Sequence, residues 1–491
     1  MAWFGILLLA LALALMMCTG WPTYAVLLGV CSFGALVGLA GGTFEATLLG
    51  SLPGRVLGLL EHDLLQALAL YALVGALLHR MAIADDLYGA LRKLIARAVP
   101  RGESALAGLT LGALLAPMNG SVGASLVTLS HTAGRNWPAE GITPARHAAL
   151  VAVASTLGVV VPPSLVLLLL GDTMLRAHTE GLNIAKRLNL PLANADIRIV
   201  NSQDVMQAVL LPAAALLLGW LLITAWNAAP RPRPVQPAAL LRGERWSLAL
   251  VPLAIAGLLT LVALGHVRAV EGAAAAGVLL LLWGMASGQL TRTLLWQALD
   301  DAMALTGALF ALLVAATTFS LIMRALGSDR LVSELMLGLQ GHPTAATLMV
   351  LLLLLTCAFV LDAFELIFLV VPIVMPPLLA QVGDAAWVAV LTLLVLQAGF
   401  LLPPFGYAVV LARGQQQPRA PLRAMAQALA PYLAWLVCVV VMVIAMPQTT
   451  RWLRTTSATL ESNRAPGNQD VEQLMRDMSP QKGDPASSPG R

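Results

Sequence analysis

Apolar residues run through this chain in blocks long enough for a helix to cross the roughly 30 Å hydrocarbon core of a bilayer, which takes about 20 residues, and short polar stretches separate the blocks. The pattern predicts spanning helices near 2–18, 22–41 and 62–80, then a polar amphipathic stretch near 82–99 that carries Arg92, Lys93 and Arg97. The next apolar segment, 104–134, is interrupted at Pro117-Met118-Asn119-Gly120-Ser121-Val122-Gly123. It is too short to cross twice and too polar at its centre to cross once, so it predicts a re-entrant hairpin with its tip at Asn119. A long apolar helix with a break inside it follows over 146–174, then a polar insertion 176–204 and a span near 205–226. A Pro/Arg-rich linker, 228–246, ends this first repeat of residues 1–227. The second repeat, 247–447, gives the same order: spans near 247–266, 269–288 and 302–323, an amphipathic piece near 328–341, an interrupted apolar segment 344–381, a broken helix 386–412 and a last span 422–446. The polar tail 448–491, rich in Ser, Pro and mixed charge, predicts disorder.

The two broken helices carry near-copies of one motif, Gly158-Val-Val-Val-Pro162-Pro163-Ser164 and Gly399-Phe-Leu-Leu-Pro403-Pro404-Phe405-Gly406. Proline lacks the N–H that the helix ladder needs and clashes with the preceding turn, so each copy must unwind in the middle of an apolar run. Unwound backbone at membrane depth is tolerated only where protein or a water-filled cavity meets it. Corresponding interruptions in two halves of a membrane protein point to the substrate and ion site of a secondary transporter. Spacing supports the repeat: Asn119 lies 43 positions before Pro162, and Asp362 lies 41 before Pro403. An odd number of spans between the copies places them in opposite orientation. The polar stretch after the third helix holds Arg80, Arg92, Lys93, Arg97 and Arg101, against Arg324 and Arg330 at the equivalent place in the second half. By the positive-inside rule the first hairpin enters from the cytoplasm and the second from outside. Ten spans then leave both termini outside and the central linker, with Arg231, Arg233, Arg242 and Arg245, inside. The expected fold is an all-α polytopic membrane protein with an inverted repeat, two re-entrant hairpins and two broken helices.

Composition agrees: 59% of the 491 residues are hydrophobic and 11% charged, with mean hydropathy +0.83, far from the quarter-charged usage of soluble domains. The net charge of +4 comes from singly scattered basic residues without interleaved exposed aromatics, so nucleic acid is not an expected partner. Cys18, Cys31, Cys357 and Cys438 lie inside apolar runs with no paired spacing and read as core packing. The apolar start, without a basic leader segment, reads as a retained first span. An intramembrane enzyme would need a Ser/Lys, paired-Asp or His/Glu constellation; the spans hold no His-x-x-x-His, no Gly-x-Gly-Asp and no lysine. The chain is not expected to be an enzyme, and no organic cofactor is expected.

The candidate chemistry gathers at the breaks. Sodium is a hard cation that favours oxygen ligands, and an unwound helix beside a hairpin tip offers carbonyls and hydroxyls. Ser121, Ser125, Thr156, Gly158, Asp362 and Gly399 are the candidate ion-site residues, the alternative for a membrane Ser or Thr being a bond to its own helix. Asn119, Gly120, Ser121, Pro163, Ser164, Gln397 and Pro404 are the candidate substrate contacts. Helix N-termini after Pro163 and Pro404 point positive dipole ends into the same cavity, which suits a carboxylate. Asp362 and Glu365, the acidic residues of 344–381, are costly at membrane depth unless paired or wet. Asp362 reads as an ion-side or structural ligand, Glu365 as an internal hydrogen-bonding group or proton carrier, and both alternatively as caps of the hairpin helices. His131 and His147 read as solvated or capping groups, and Trp137, Trp220, Trp226 and Trp246 as interfacial anchors.

Taken in order, Ser155-Thr156-Leu157-Gly158 through Pro162-Pro163-Ser164 to Gly171-Asp172, the hairpin Gly120-Ser-Val-Gly123-Ala124-Ser125, Leu361-Asp362-Ala-Phe-Glu365, and Gln397-Ala-Gly-Phe400 with Pro403-Pro404-Phe405-Gly406 resemble the large membrane (permease) subunit of tripartite ATP-independent periplasmic (TRAP) transporters. Within that family the chain resembles the branch of mannitol/chloroaromatic type, and the resemblance covers roughly residues 15–446. It implies an elevator-type ion-transporter architecture in a bacterial inner membrane, surrounded by lipid. It further implies sodium-coupled import of a small organic acid, a separate small membrane subunit of about four helices, and a periplasmic substrate-binding protein. The chain departs from the branch around the second break, where Ala398, Gly399 and Leu402 replace the usual hydroxyls, and where Leu366-Ile367 follow Glu365 in place of a threonine. These departures bear on a second, side-chain-assisted sodium site. The alternative reading is a self-sufficient sodium- or proton-coupled anion carrier of the same architecture.

Overall fold

The computed structural model describes residues 2–452 apart from 61–62, 100–101, 119–120, 139–140, 191–198, 229–239, 264–268, 340 and 417–418. Among the described residues every regular element is a helix. The first repeat opens with α1 (Ala2–Thr19), α2 (Thr23–Ala40), a 3₁₀ turn at Ala46–Ser51, α3 (Leu52–Leu60), α4 (Asp63–Arg80) and the amphipathic α5 (Ile83–Ala98). Then come the hairpin arms α6 (Glu103–Leu115) and α7 (Val122–His131), the two parts of the broken helix, α8 (Pro144–Val160) and α9 (Leu165–Arg187), and α10 (Ser202–Trp226). The second repeat runs α11 (Arg242–Ala263), α12 (Ala269–Ala286), α13 (Arg292–Ala325) and α14 (Ser328–Leu337). It continues with hairpin arm α15 (Pro343–Cys357), the single turn α16 (Ala363–Glu365), a π-helical turn Leu366–Val370, the returning arm α17 (Val371–Leu379), α18 (Ala385–Leu401), α19 (Tyr407–Gly414) and α20 (Leu422–Ala445).

Local chemistry sets the helix ends. Thr143 caps α8 by accepting from the Arg146 N–H, with Pro144 at the first helical position, where a missing N–H costs nothing. Asn201 and Asp204 form a reciprocal capping box at the start of α10. α5 carries Asp85 and Asp86 in its first turn and Arg97 in its last, both matched to the helix dipole. Helices α1, α2, α10, α13 and α20 are each long and apolar enough to cross a membrane, and α8 and α9 do so as a pair bent by 40°.

Two layers result. In one, α4 packs on α12 and α13, α13 on α2, and α1 on α2. In the other, α8 and α18 cross at the centre, and both touch α10 and α20. α18 is apolar on every face and buried along almost its whole length, as a helix surrounded by others must be. Hairpin arm α6 lies on α8, and arm α15 on α18. The returning arms also reach the other repeat: α17 packs against α9, and α7, which lies mainly on α8, also meets α19. Each hairpin therefore touches the leading part of its own broken helix, and its returning arm touches the trailing part of one of the two broken helices.

Charged groups close the edges of the layers. Arg80 of α4 meets Asp301 of α13 at 2.5 Å and donates to Gln297 at 2.8 Å. Lys93 of α5 pairs with the buried Glu244 of α11 at 2.7 Å, which ties the end of the linker to the amphipathic helix. Burial, with Glu244 and Asp85 nearby, holds the Asp86 carboxyl above its usual range. On the other edge Arg324 of α13 pairs with Glu180 of α9 at 2.6 Å.

Several expectations change. The insertion 176–204 is not a loop at its start, because α9 continues to Arg187; 191–198 lie outside the described residues. The linker ends earlier than expected, since α11 begins at Arg242, and Arg231 and Arg233 are outside the described residues. α13 begins ten positions before the expected span, and α3 was not anticipated. A helical turn over 448–452 opens the tail and is held by Arg451 on Asp384 at 2.7 Å; 453–491 are outside the described residues. Trp137 and Trp220 are buried at 1% and 0% exposure rather than interfacial, Trp137 against the His147 ring and Trp220 donating to the Tyr432 carbonyl at 3.0 Å, whereas Trp226 and Trp246 are exposed. Cys31 and Cys357 are buried as expected, but Cys18 and Cys438 lie on the exterior.

Candidate functional site

Each hairpin meets its broken helix through a glycine. Ala116 caps the C-terminal end of α6, and a Cβ on Gly158 would lie 2.5 Å from its carbonyl oxygen. One turn earlier a Cβ on Gly112 would lie 2.6 Å from the Ala154 oxygen, so the two backbones touch over successive turns. Ala358 caps the C-terminal end of α15, and a Cβ on Gly399 would lie 2.5 Å from its methyl. The glycine of the Gly-x-x-x-Pro-Pro motif is thus a packing requirement, and it places a hairpin end beside each break.

At the first break the hydroxyls hold the turn together. Ser121 caps α7, its oxygen accepting from the Ala124 N–H at 3.1 Å. Ser125 is fully buried and donates to the Ser121 carbonyl at 2.9 Å, with the Ala116 carbonyl at 3.4 Å. Ser164 caps α9, accepting from the Val166 N–H at 3.2 Å, and donates to the Gly158 carbonyl at 2.5 Å. Thr156, also fully buried, donates to the Val153 carbonyl of its own helix at 3.0 Å. Pro162 and Pro163, joined by a cis peptide, are buried with Ser164. The Ser121 carbonyl already accepts from both the N–H and the hydroxyl of Ser125, but the hydroxyl oxygens of Ser121, Ser125, Thr156 and Ser164 each keep an unused lone pair, the kind of oxygen donor a hard cation takes. Asn119 and Gly120 lie outside the described residues.

The second break is built differently. Pro404, in the cis Pro403–Pro404 peptide, and Phe405 are exposed. The Gly406 N–H donates to the Leu402 carbonyl at 2.8 Å, and α19 starts without a side-chain cap, which leaves its first N–H groups open. Phe405 meets Phe359 of the hairpin edge-on, with ring centroids 6.5 Å apart. Tyr407 reaches across to the other repeat, where its hydroxyl lies 3.2 Å from the place of a Cβ on Gly123. Gln397, at the position equivalent to Thr156, is fully buried, and neither its amide oxygen nor its nitrogen has a partner among the described residues. An unanswered buried amide costs about 1–3 kcal/mol per group.

The acidic pair caps the second hairpin. Asp362 accepts from the Glu365 N–H and Glu365 accepts from the Asp362 N–H, each at 2.9 Å. The other Glu365 oxygen accepts from the Thr23 hydroxyl of α2, and so joins the hairpin to the opposite layer. The first hairpin has a matching link, His79 of α4 with Thr128 of α7 at 2.8 Å. Of the predicted residues, Ser121, Ser125, Gly158 and Ser164 gather around one break, while Asp362 is committed to its own turn. Sequence reading missed the cross-layer links of Thr23 and His79 and the reach of Tyr407. It missed also the π-helical turn after Glu365, a feature that concentrates at functional sites. The described residues contain no group of three His, Cys, Asp or Glu side chains suited to a metal ion.

The comparisons with known proteins agree with this architecture. The family described as "Tripartite ATP-independent periplasmic transporter, DctM component" matches residues 7–449. No curated protein matches the sequence. Among solved structures, the crystal structure of the Alcanivorax borkumensis YdaH transporter, described as having an unusual topology, is similar in fold with a TM-score of 0.56. It is 16% identical, over 82% of this chain and 90% of that one.

Proposed function

Since the chain belongs to the DctM component family of tripartite ATP-independent periplasmic transporters, and is therefore the large permease of a transporter and not an enzyme, we propose that it imports small organic acids coupled to sodium. In this reading it works in a bacterial inner membrane with a small membrane subunit of about four helices and receives its substrate from a periplasmic binding protein. The observation that carries the reading is the paired contact of Gly158 with Ala116 and of Gly399 with Ala358, which sets a hairpin end beside each proline break. The element order and the crossed packing of the returning arms support an inverted repeat.

The two breaks divide the work by their chemistry. Sodium would be held at the first, by Ser121, Ser125, Gly158 and neighbouring oxygens. A carboxylate is suited to the second, where the uncapped α19 offers N–H groups and a positive dipole end. Gln397 can answer either ligand, because its amide both donates and accepts. Reconstitution with the small subunit and binding protein, followed by uptake of a panel of radiolabelled organic acids under an inward sodium gradient, tests the reading. Accumulation that collapses when choline replaces sodium is the expected result. Uptake without the binding protein, or indifferent to sodium, would replace the reading by the self-sufficient or proton-coupled carrier.

A further inference from the structure

Two adjoining chambers of about 340 and 180 Å³ form one cleft between α13 of the first layer and α9 with α17 of the second. The larger reaches the ends of α9 and α13, and the smaller lies further in along both helices. α3 borders the inner chamber with Leu59 and the exposed Arg55. Three guanidinium groups from three helices therefore line one space: Arg55, Arg176 of α9 and Arg324 of α13.

Two of the three are answered. Arg176 pairs with Asp172 at 3.1 Å, and Arg324 with Glu180 at 2.6 Å. Arg55 has no acidic partner among the described residues, so the inner chamber carries three cations against two carboxylates. All three guanidinium groups are solvent-exposed, so solvent weakens the excess, yet a cleft lined by one sign of charge still raises the local concentration of counter-ions. The facing wall is apolar, formed by Phe368 of the π-helical turn and Pro372. A free guanidinium opposite an apolar wall is complementary to a carboxylate on a hydrophobic body, since guanidinium binds carboxylate through two parallel hydrogen bonds and the wall takes the remainder.

We propose that this chamber is a receiving site for an organic carboxylate, with Arg55 as its anion-binding group. The proposal rests on the carboxylate-carrier reading and adds to it a place where the substrate lodges before it reaches the breaks. The cleft is lined by helix ends that the sequence assigns to the outer face, so it opens toward the side from which a binding protein delivers.

The test uses the full chain in vesicles, with the four native cysteines changed to alanine and one cysteine introduced by Thr317→Cys in the chamber wall. The probes are two thiol reagents of similar size added from outside, the anionic sulfonatoethyl and the cationic trimethylammonioethyl methanethiosulfonate. Rates are normalised to an exposed control cysteine at Asn189. The anionic reagent should react several-fold faster at Thr317→Cys, Arg55→Gln should remove that preference, and Arg55→Lys should keep most of it. Equal or reversed rates in the parent, a preference untouched by Arg55→Gln, or no reaction from outside would each overturn the proposal. Labelling does not depend on transport, so a failure of the carrier reading shows in the uptake assay and not in this one.

Discussion

Gly158 lies so close to Ala116 that a Cβ on it would sit 2.5 Å from the Ala116 carbonyl oxygen, and Gly399 stands in the same relation to the Ala358 methyl. The obstacle is backbone in the first contact and a side chain in the second. Overpacking costs about 1–3 kcal/mol where neighbours can shift, so Gly158→Ala should lower the thermal midpoint and abolish uptake. Gly399→Ala should do so more mildly and be rescued by Ala358→Gly, which removes the obstructing methyl. Rescue of Gly158→Ala by Ala116→Gly, which leaves the carbonyl in place, would contradict this account.

Replacing Pro162-Pro163 by two alanines should let α8 and α9 join into a continuous helix, since the missing N–H groups are restored. Membrane insertion should persist while uptake in reconstituted vesicles is lost. Uptake near the parent rate would remove the first break from the site.

The hydroxyls differ in where they stand. Ser121 caps the hairpin arm α7 beside the first break and Thr156 lies on α8 just before it, whereas Thr392 of α18 bonds back to Val388 at 2.8 Å, deep in the helix and away from the break. Ser121→Ala and Thr156→Val should raise the sodium concentration for half-maximal uptake several-fold, and Thr392→Val should not. Sodium titrations on the three variants decide the matter, equal shifts in all three counting against a sodium site at the first break.

Gln397 is buried without a partner among the described residues. With no ligand bound, Gln397→Leu removes an unanswered amide and should raise the thermal midpoint, by an amount on the order of 1–3 kcal/mol in stability. The same variant should lose most of its uptake, because the amide is then missing when a ligand arrives. A variant that is stabilised and still transports normally would reduce Gln397 to a packing residue.

For the topology, single cysteines at Asn189, just beyond α9, and at Ser287, just beyond α12, are both exposed. They should label from opposite sides of the membrane, Asn189 from outside. Labelling from one side would break the inverted repeat.

Much of the fold was legible in the chain. The amphipathic α5, the hairpin interruption before Ser121 and the double-proline breaks each follow from chemistry within a few residues, such as apolar run length, charge placement and the missing proline N–H. The end of α9 was misread because Arg176, Lys186 and Arg187 signal a loop by composition, while the helix keeps one face buried through Ala177, His178, Gly181 and Ala185. The tryptophans were misread for the opposite reason: Trp137 fills the space beside Gly108, a neighbour 29 positions away that no local pattern reveals.

By itself the sequence determined that this is a multi-pass helical membrane protein, with two polar hairpins and two broken helices in repeated order, because lipid leaves backbone few choices and proline fewer still. Only the tertiary structure decided which oxygens of the hairpin and of the broken helix share a break, that Glu365 reaches Thr23, that Gln397 has no partner among the described residues, and that Arg55 lines one chamber with Arg176 and Arg324. Those relations join residues tens to hundreds of positions apart, and they are set by how helices cross and pack, a matter on which local periodicity carries no information.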